Sequence, residues 1–398
     1  MDMVRMGIIG LGGRGTGLMN NMLSMKDVTV TAVCDVYRDR VESAQKTVKS
    51  KKGTTPFGTE NYKELLERED VDIVLISASW QAHTQIACDS MRSGKYTALE
   101  VGGTYEIENC FRLIETYEET KTPFMFLENC CFGKRELMCL NMAKAGVFGK
   151  VVQCDGSYSH DLRNEVSFGR ENRHYRLEHY INYNCDNYPT HELGPIAKII
   201  GINENNKMKR LISLVSGSYG LHEYVNDKKK DDERLKDIKF SQADIVTTII
   251  ECENGETIRL TLDTTLPRFY SRGFTVHGTK ALYQEDGDIV FIDGETIKKY
   301  GNKAEFEPWK IYCNAKKYEK KYMPDMWRKL SRSKILAGHG GMDYLMLRDM
   351  VESFKNSTPP SIDVYDAAAW MSVTALSKKS IEEGCVWVDF PDFTKNRQ

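Results

Sequence analysis

At 398 residues the chain is long enough for two domains, each with a substantial core. With 41% hydrophobic and 28% charged residues it has an ordinary globular composition, and a net charge of -2 offers nothing to attract nucleic acid or an acidic membrane. No apolar run approaches the roughly 20 residues that span a bilayer, and the 11 cysteines are scattered without CxxC or zinc-type spacing, so reduced thiols and no metal site are expected.

The N-terminus, "MDMVRMGIIG", enters a strand at once. That leaves no room for a signal peptide and gives the expectation of a cytoplasmic protein. From about Arg5 to Phe126, short apolar runs alternate with amphipathic stretches. "VRMGIIG", "VTVTAVCD", "DIVLISAS" and "YTALEV" are continuously apolar, as parallel strands covered on both faces are. "NYKELLERED" and "HTQIACDSMRSGK" read as helices between them, and "TPFMFLENCC" as the last strand and its exit. This predicts an α/β fold whose N-terminal part, residues 1–126, is a Rossmann dinucleotide-binding domain.

After Gly149 the rhythm changes. "KVVQCDGSYSH", "LISLVSGSYG", "DIVTTIIECENGETIRLTLDTT" and "GFTVHGTKALYQEDGDIVFIDGETIKKY" read as strands joined by turns. "ENGE", "EDGD" and "IDGE" are expected to be hairpin connections with glycine at positive φ. Residues 127–398 are therefore expected to form an α+β substrate-binding domain on a largely antiparallel open sheet. "NDKKKDDERLKD" (226–237) is expected to be a mobile charged surface loop, and two helices, "HGGMDYLMLRDMVESFKN" and "VYDAAAWMSVTALSKKSIEEG", lie near the C-terminus.

"GLGGRG" places Gly10, Gly12 and Gly15 at G-x-G-x-x-G spacing between the first strand and a helix, and Asp35 ends the second strand. Such glycines let backbone N–H groups approach a pyrophosphate, while the acid accepts hydrogen bonds from ribose hydroxyls. An acid there repels a 2′-phosphate and favours NAD, with Arg38 nearby keeping NADP in play. Glycines serving only tight turns are the weaker reading, because strand, helix and acid stand in register.

The stretch "SASWQAHTQIACDSMRSGKYTALEV" resembles the part of the Gfo/Idh/MocA oxidoreductases that ends in Glu-Lys-Pro, whose lysine helps take the proton from the hydroxyl being oxidised. Here Glu100 is followed by Val101, Gly102 and Gly103. "LENCCFG", "GSYSHDLR", "NRHYRLEHY", "NYPTHELGPIAKIIGIN", "TTLPRFYSRG", "AGHGGMDY" and "DVYDAAAWMSVTALS" resemble segments of the NAD-dependent glycosidases of glycoside hydrolase family 109, best known as α-N-acetylgalactosaminidases. In that family too the strand ends in Glu-Val. The resemblance implies NAD contacts from Arg14, Gly15, Asp35, residues 80–83 with Trp80 and His83, Glu100, Val101, Asn129 and residues 171–175 with Tyr175. It also implies a carbohydrate substrate and a homodimer paired through the exposed face of the second-domain sheet. Taken alone, His83 reads as a helix-start histidine and Trp80 as packing.

In the second domain, Tyr158 and His160 share one face of a strand by period-two spacing. "YPTH" breaks the chain at proline, so a helix starting near Thr190 sets His191 at its N-terminus, where the dipole disfavours an imidazolium. A strand tyrosine or a lone histidine is by itself more often structural. The resemblance implies substrate contacts from Tyr158, Arg176, Tyr188, His191 and Tyr270. His191 and Tyr158 are expected to form the acid–base pair, with Arg176 lowering the phenol's pKa, and Tyr188, Tyr270 and Arg176 orienting the sugar; Glu128 and His160 rank second. Glu192 departs from the glycine common in the family.

The implied reaction avoids the two carboxylates of ordinary glycosidases. Oxidation at C3 of the sugar acidifies C2, a base removes that proton, the C1 group leaves, water adds, and hydride returns. A sugar or cyclitol dehydrogenase is the alternative, and a non-catalytic NAD- or sugar-binding protein a third. The missing lysine weighs against the dehydrogenase, and the intact Tyr, His and Arg set against the binding protein.

Overall fold

The computed structural model describes residues 3–235, 238–335, 338–395 and 397, and the chain folds as two compact units. Residues 1–132, 329–369 and 393–398 form the first, and residues 133–328 and 370–392 the second.

The first unit is built on six parallel strands: β1 (Val4–Ile9), β2 (Val28–Cys34), β3 (Phe57–Thr59), β4 (Ile73–Ile76), β5 (Tyr96–Glu100) and β6 (Phe124–Leu127). Their order is β3-β2-β1-β4-β5-β6. Every residue of β4, β5 and β6 is buried, which is why their sequences are continuously apolar rather than alternating. The strand order reverses between β1 and β4, the place where such sheets bind ligands at their carboxyl ends. The short edge strand β3 carries no apolar run and has no counterpart among the expected strands.

The C-terminal segment 329–369 packs with these six strands, although the strand rhythm marks their end near residue 126. Both Arg348 Nη atoms donate to the Asp27 carboxylate at 2.8 Å, and Tyr96 Oη donates to Ser353 Oγ at 3.2 Å. The outer edge of β6 is covered in the same way, since the Phe126 N–H donates to the Ile362 carbonyl at 3.0 Å.

The second unit holds β7 (Val151–Ser159), β8 (Met208–Val215), β9 (Ile245–Cys252), β10 (Thr257–Asp263), β11 (Thr275–Gly278), β12 (Ala281–Gln284), β13 (Ile289–Ile292) and β14 (Val388–Asp389). They form one sheet in the order β13-β12-β11-β7-β10-β9-β8-β14. All neighbours are antiparallel except β7 and β10. Buried and half-exposed positions alternate along β7, β9 and β10, the signature of a sheet with one covered face. The helix Thr190–Ile200 packs on β7. Gly156 makes that possible, because a Cβ there would lie 2.4 Å from the Glu192 Cβ.

Three local expectations change. In "EDGD" the left-handed residue is Asp288 (φ 47) rather than Gly287. Gly294 of "IDGE" does have positive φ (68), but it leads into the helix Glu295–Tyr300 and not into another strand. Residues 226–228 of the charged stretch are the last turn of a helix, Gly220–Lys228, anchored by buried Leu221 and Val225; Lys236 and Asp237 lie outside the described residues. Among the described residues, no helix is long and apolar enough to cross a membrane.

Candidate active site

In the first unit, β1 runs into the glycine turn and the helix Gly13–Leu23. Gly10 has φ 94, and a Cβ on it would lie 2.4 Å from the Ser77 carbonyl beyond β4. At Gly15 a Cβ would come within 2.0 Å of the Gly10 carbonyl oxygen. These two glycines allow close backbone approach. Gly12 differs: the nearest atom to a Cβ there is Arg40 Nη1 at 3.8 Å, so its missing side chain leaves open space beside the helix N-terminus. No acid stands in the first turn of that helix and no side chain caps it, so its N–H groups suit an anion.

Asp35 braces the turn, its Oδ2 accepting the Leu11 N–H at 2.7 Å and its Oδ1 the Tyr37 N–H at 3.0 Å. The cation beside it is Arg40 (3.6 Å), stacked on the Tyr37 ring, and not Arg38, which pairs with Glu42. The open Gly12 cradle, the uncapped helix N-terminus and the acid at the end of β2 fit a dinucleotide.

Glu100 answers the question of the missing lysine. Its Oε1 receives Arg14 Nε at 2.8 Å and Nη2 at 2.6 Å, and its Oε2 receives the Val101 N–H at 3.0 Å. The acid of the strand end is kept, but its cation comes from the glycine turn. Burial works against the charge on Arg14, and Glu100 with Asp343 outweighs it, so the guanidinium stays protonated and is no proton acceptor. Trp80 lies against Gly102, where a Cβ would meet its Cδ1 at 2.6 Å. His83 is buried, pairs through Nε2 with the Ala78 carbonyl at 3.0 Å, and is pushed down to about 4 by burial. Its ring is therefore neutral and ties down the turn after β4. Asn129 Nδ2 donates to Asp343 Oδ1 at 2.8 Å. Glu128 is fully buried, and its Oε1 accepts the Cys130 N–H.

In the second unit, the carboxyl end of β7, the loop before Thr190 and the segment after β10 bring the remaining candidates together. The Tyr158 and Tyr188 rings stack with centroids 4.2 Å apart at 29°. The His191 ring stands edge-on to Tyr188 at 4.7 Å and to Tyr158 at 5.6 Å. Tyr270, half exposed, meets His160 at 5.3 Å and Tyr158 at 6.4 Å. Arg176 lies over the Tyr188 ring at 5.4 Å. As expected, His191 falls in the first turn of the helix Thr190–Ile200.

Tyr158 Oη and His160 Nδ1 are 3.2 Å apart. Burial raises the Tyr158 pKa more than Arg176 lowers it, so the expected activation by Arg176 is overridden and the resting side chain is a neutral phenol. Burial and Arg176 both lower His160, which is then neutral and able to accept. Tyr175 belongs to the second unit, stacked on His174 (4.5 Å) with the His179 ring tilted against it (5.0 Å).

Sequence reasoning missed Glu165, which pairs with Arg176 and lies 3.6 Å from His174 Nε2. A single acid in the short helix Arg163–Ser167 gives no signal of its own. It also gave no task to His339 and Asp343, although the run of glycines around His339 marks an unusual backbone. Glu192 is buried and packs over Gly156, on the face of β7 that carries Tyr158, and its charge adds to the upward push on the phenol.

Residues 4–127 match the oxidoreductase family with an NAD-binding Rossmann fold, and residues 132–398 match the C-terminal domain of glycosyl hydrolase 109. A glycosyl hydrolase family 109 protein of Parabacteroides distasonis is 34% identical over 99% of this chain and 87% of its own length. An α-N-acetylgalactosaminidase of Tannerella forsythia is equally similar, at 34% over 99% and 87%. Among solved structures, a levoglucosan dehydrogenase in complex with NADH and levoglucosan superposes with a TM-score of 0.73 at 14% identity, covering 98% of this chain and 100% of that one. A myo-inositol dehydrogenase of Lactobacillus casei gives 0.67 at 13%, covering 99% and 100%. At such identities these two speak for the fold alone. Dinucleotide cradle, aromatic site and near end-to-end similarity agree: the chain is a glycoside hydrolase on a nicotinamide-dinucleotide-binding Rossmann scaffold, and it belongs to glycosyl hydrolase family 109.

Proposed function

We propose that the protein cleaves α-N-acetylgalactosaminides by a redox-neutral route with NAD as a retained cofactor. The observation that carries this reading is the Tyr158–Tyr188 stack with His160, His191, Tyr270 and Arg176 around it: an aromatic wall for a sugar face with ionisable groups at its rim. The acetamido preference follows the name of the relative from Tannerella forsythia. Asp35 favours NAD over NADP, and Arg40 is the residue that would soften that preference.

A bound NAD supplies reversible hydride exchange at C3 of the sugar, so the cycle ends without net oxidation. With C3 at the ketone level, C2–H becomes acidic because its carbanion delocalises into an enolate. Loss of the C1 group is then an elimination, and water adds to the enone. The chain has to move protons at the C3 oxygen, at C2 and at the departing oxygen. Arg14 and Glu100 pair with each other, and we assign these tasks to the second unit. Tyr158 works at a sugar oxygen, with His160 as its proton acceptor, and His191 is the second base. Arg176 and Tyr188 orient the ring. Ile212 and Ile249, cross-strand neighbours on the half-exposed face of the second-unit sheet, support a homodimer paired through that face; sedimentation as a monomer would refute it.

Cofactor-stripped protein with 4-nitrophenyl α-N-acetylgalactosaminide, with and without NAD, tests the reading. NAD-dependent aryl release with flat absorbance at 340 nm is the expected result. Release from none of a panel of α- and β-glycosides sinks it. Growing NADH with free sugars would then indicate a dehydrogenase, and silence in both channels a binding protein.

A further inference from the structure

The "AGHGGMDY" segment has no task in the scheme above, and all of it except Ala337 lies within the described residues. Its backbone is left-handed at four successive positions, Gly338 (φ 68), His339 (φ 42), Gly340 (φ 63) and Gly341 (φ 101). Such a run disfavours side chains, and histidine is among the few residues other than glycine that are enriched there. Gly338 is needed for space as well, since a Cβ there would lie 2.8 Å from Asp343 Oδ2.

The turn folds His339 back onto the first turn of the helix Met342–Asn356. His339 Nδ1 lies 2.8 Å from Asp343 Oδ2, and Arg14 Nη1 donates to the same oxygen at 2.7 Å. Asn129 Nδ2 donates to Asp343 Oδ1 at 2.8 Å. Arg14 Nη1 also lies 3.2 Å from His339 Nδ1, so carboxylate, guanidinium and imidazole close on one another. One buried carboxylate thus gathers partners from the glycine-turn helix, from the segment after β6 and from its own turn. Burial opposes its charge, but His339 and Arg14 more than compensate and hold it ionised.

We propose that the 338–343 turn is a latch on the dinucleotide cradle, in which Asp343, steadied by His339, is a positioning residue that fixes Arg14 and Asn129 for the bound dinucleotide. This rests on the first unit being the dinucleotide site. Arg14 sits between two carboxylates, Glu100 and Asp343, so its geometry is fixed from both sides and its charge is spent inside the unit. Pyrophosphate affinity is left to the backbone N–H groups, and the latch keeps the helix that carries them in place.

The test is NADH titration, read by its fluorescence, into cofactor-stripped wild type, Asp343→Asn and His339→Gly, with melting temperatures alongside. Glycine is chosen at 339 because it accepts the left-handed backbone. Removing a negative charge by itself favours an anionic dinucleotide, so weaker binding in D343N is a result that lost positioning produces and lost charge does not. Kd is expected to rise about tenfold in D343N and about threefold in H339G. Unchanged or tighter binding overturns the latch, as does a lower melting temperature with unchanged Kd. Should D343N not fold, H339G decides alone by the same criterion. Wild type that binds no NADH would overturn the dinucleotide reading itself, whereas wild type that binds alongside two unaltered variants overturns only the latch.

Discussion

Tyr158 and His160 are joined by a hydrogen bond: Oη and Nδ1 are 3.2 Å apart, on residues two positions apart at the end of β7. A buried phenol that burial keeps protonated needs such an acceptor before it can act as a base. Tyr158→Phe keeps the ring stack on Tyr188 and removes only the proton path. Its kcat is expected to fall on the order of 100-fold or more at saturating NAD, with the melting temperature nearly unchanged. A loss of less than about fivefold would take Tyr158 out of the proton path.

The three glycines of the turn separate by mechanism. Gly15→Ala forces a methyl against the Gly10 carbonyl oxygen at 2.0 Å and should unfold or strongly destabilise the first unit. Gly12→Ala meets nothing nearer than 3.8 Å, so it should fold with wild-type stability while filling the cradle. NADH affinity of G12A is expected to drop about tenfold or more. Wild-type affinity in G12A would show that the dinucleotide does not pass this glycine.

Glu165 is the carboxylate partner of Arg176, whose guanidinium is held ionised by its neighbours despite burial. Glu165→Gln leaves that cation without its paired charge and frees its orientation. Because Arg176 is assigned to hold the sugar, KM for the aryl glycoside should rise roughly tenfold, with a smaller change in kcat. An equal fall in kcat and kcat/KM would instead place Glu165 in the transition state.

Asp186, two positions before Tyr188, is buried. Its carboxyl accepts from the Tyr188 N–H and the Thr248 hydroxyl, and its Oδ2 has no hydrogen-bond partner among the described residues. Burial pushes it up to about 7, against an ordinary carboxyl near 4. Between those values the folded chain holds a proton that the unfolded chain releases. Stability is therefore fully present below about pH 4 and falls as pH rises through 7, by about 1.4 kcal/mol per pH unit inside the window. Asp186→Asn should flatten this slope, which chemical denaturation at pH 5, 6, 7 and 8 measures directly. A variant with the wild-type slope would assign the pH dependence to another group.

Much of this was legible in the sequence, for reasons that differ by region. Parallel strands covered on both faces announce themselves as unbroken apolar runs, so β1, β2, β4, β5 and β6 fell where "VRMGIIG" to "TPFMFLENCC" placed them. The three-residue β3 has too little buried surface to leave a pattern. Tyr158, His160, Tyr188, His191, Arg176 and Tyr270 were singled out by motif and do meet around one stack. Electrostatics were the harder part. That burial outweighs Arg176 at Tyr158, and that Arg40 rather than Arg38 stands at Asp35, depends on depth and side-chain direction, which spacing does not encode.

The return of residues 329–369 to the six-stranded sheet has a consequence for synthesis. A ribosome releases β1 to β6 long before Arg348 exists to meet Asp27, or Ile362 to cover the edge at Phe126. In the nascent chain β1 to β6 must wait, with the outer edge of β6 unpaired, until residues 329–369 have emerged. A gene truncated after residue 132 would therefore yield an aggregation-prone fragment rather than a small free-standing cofactor domain.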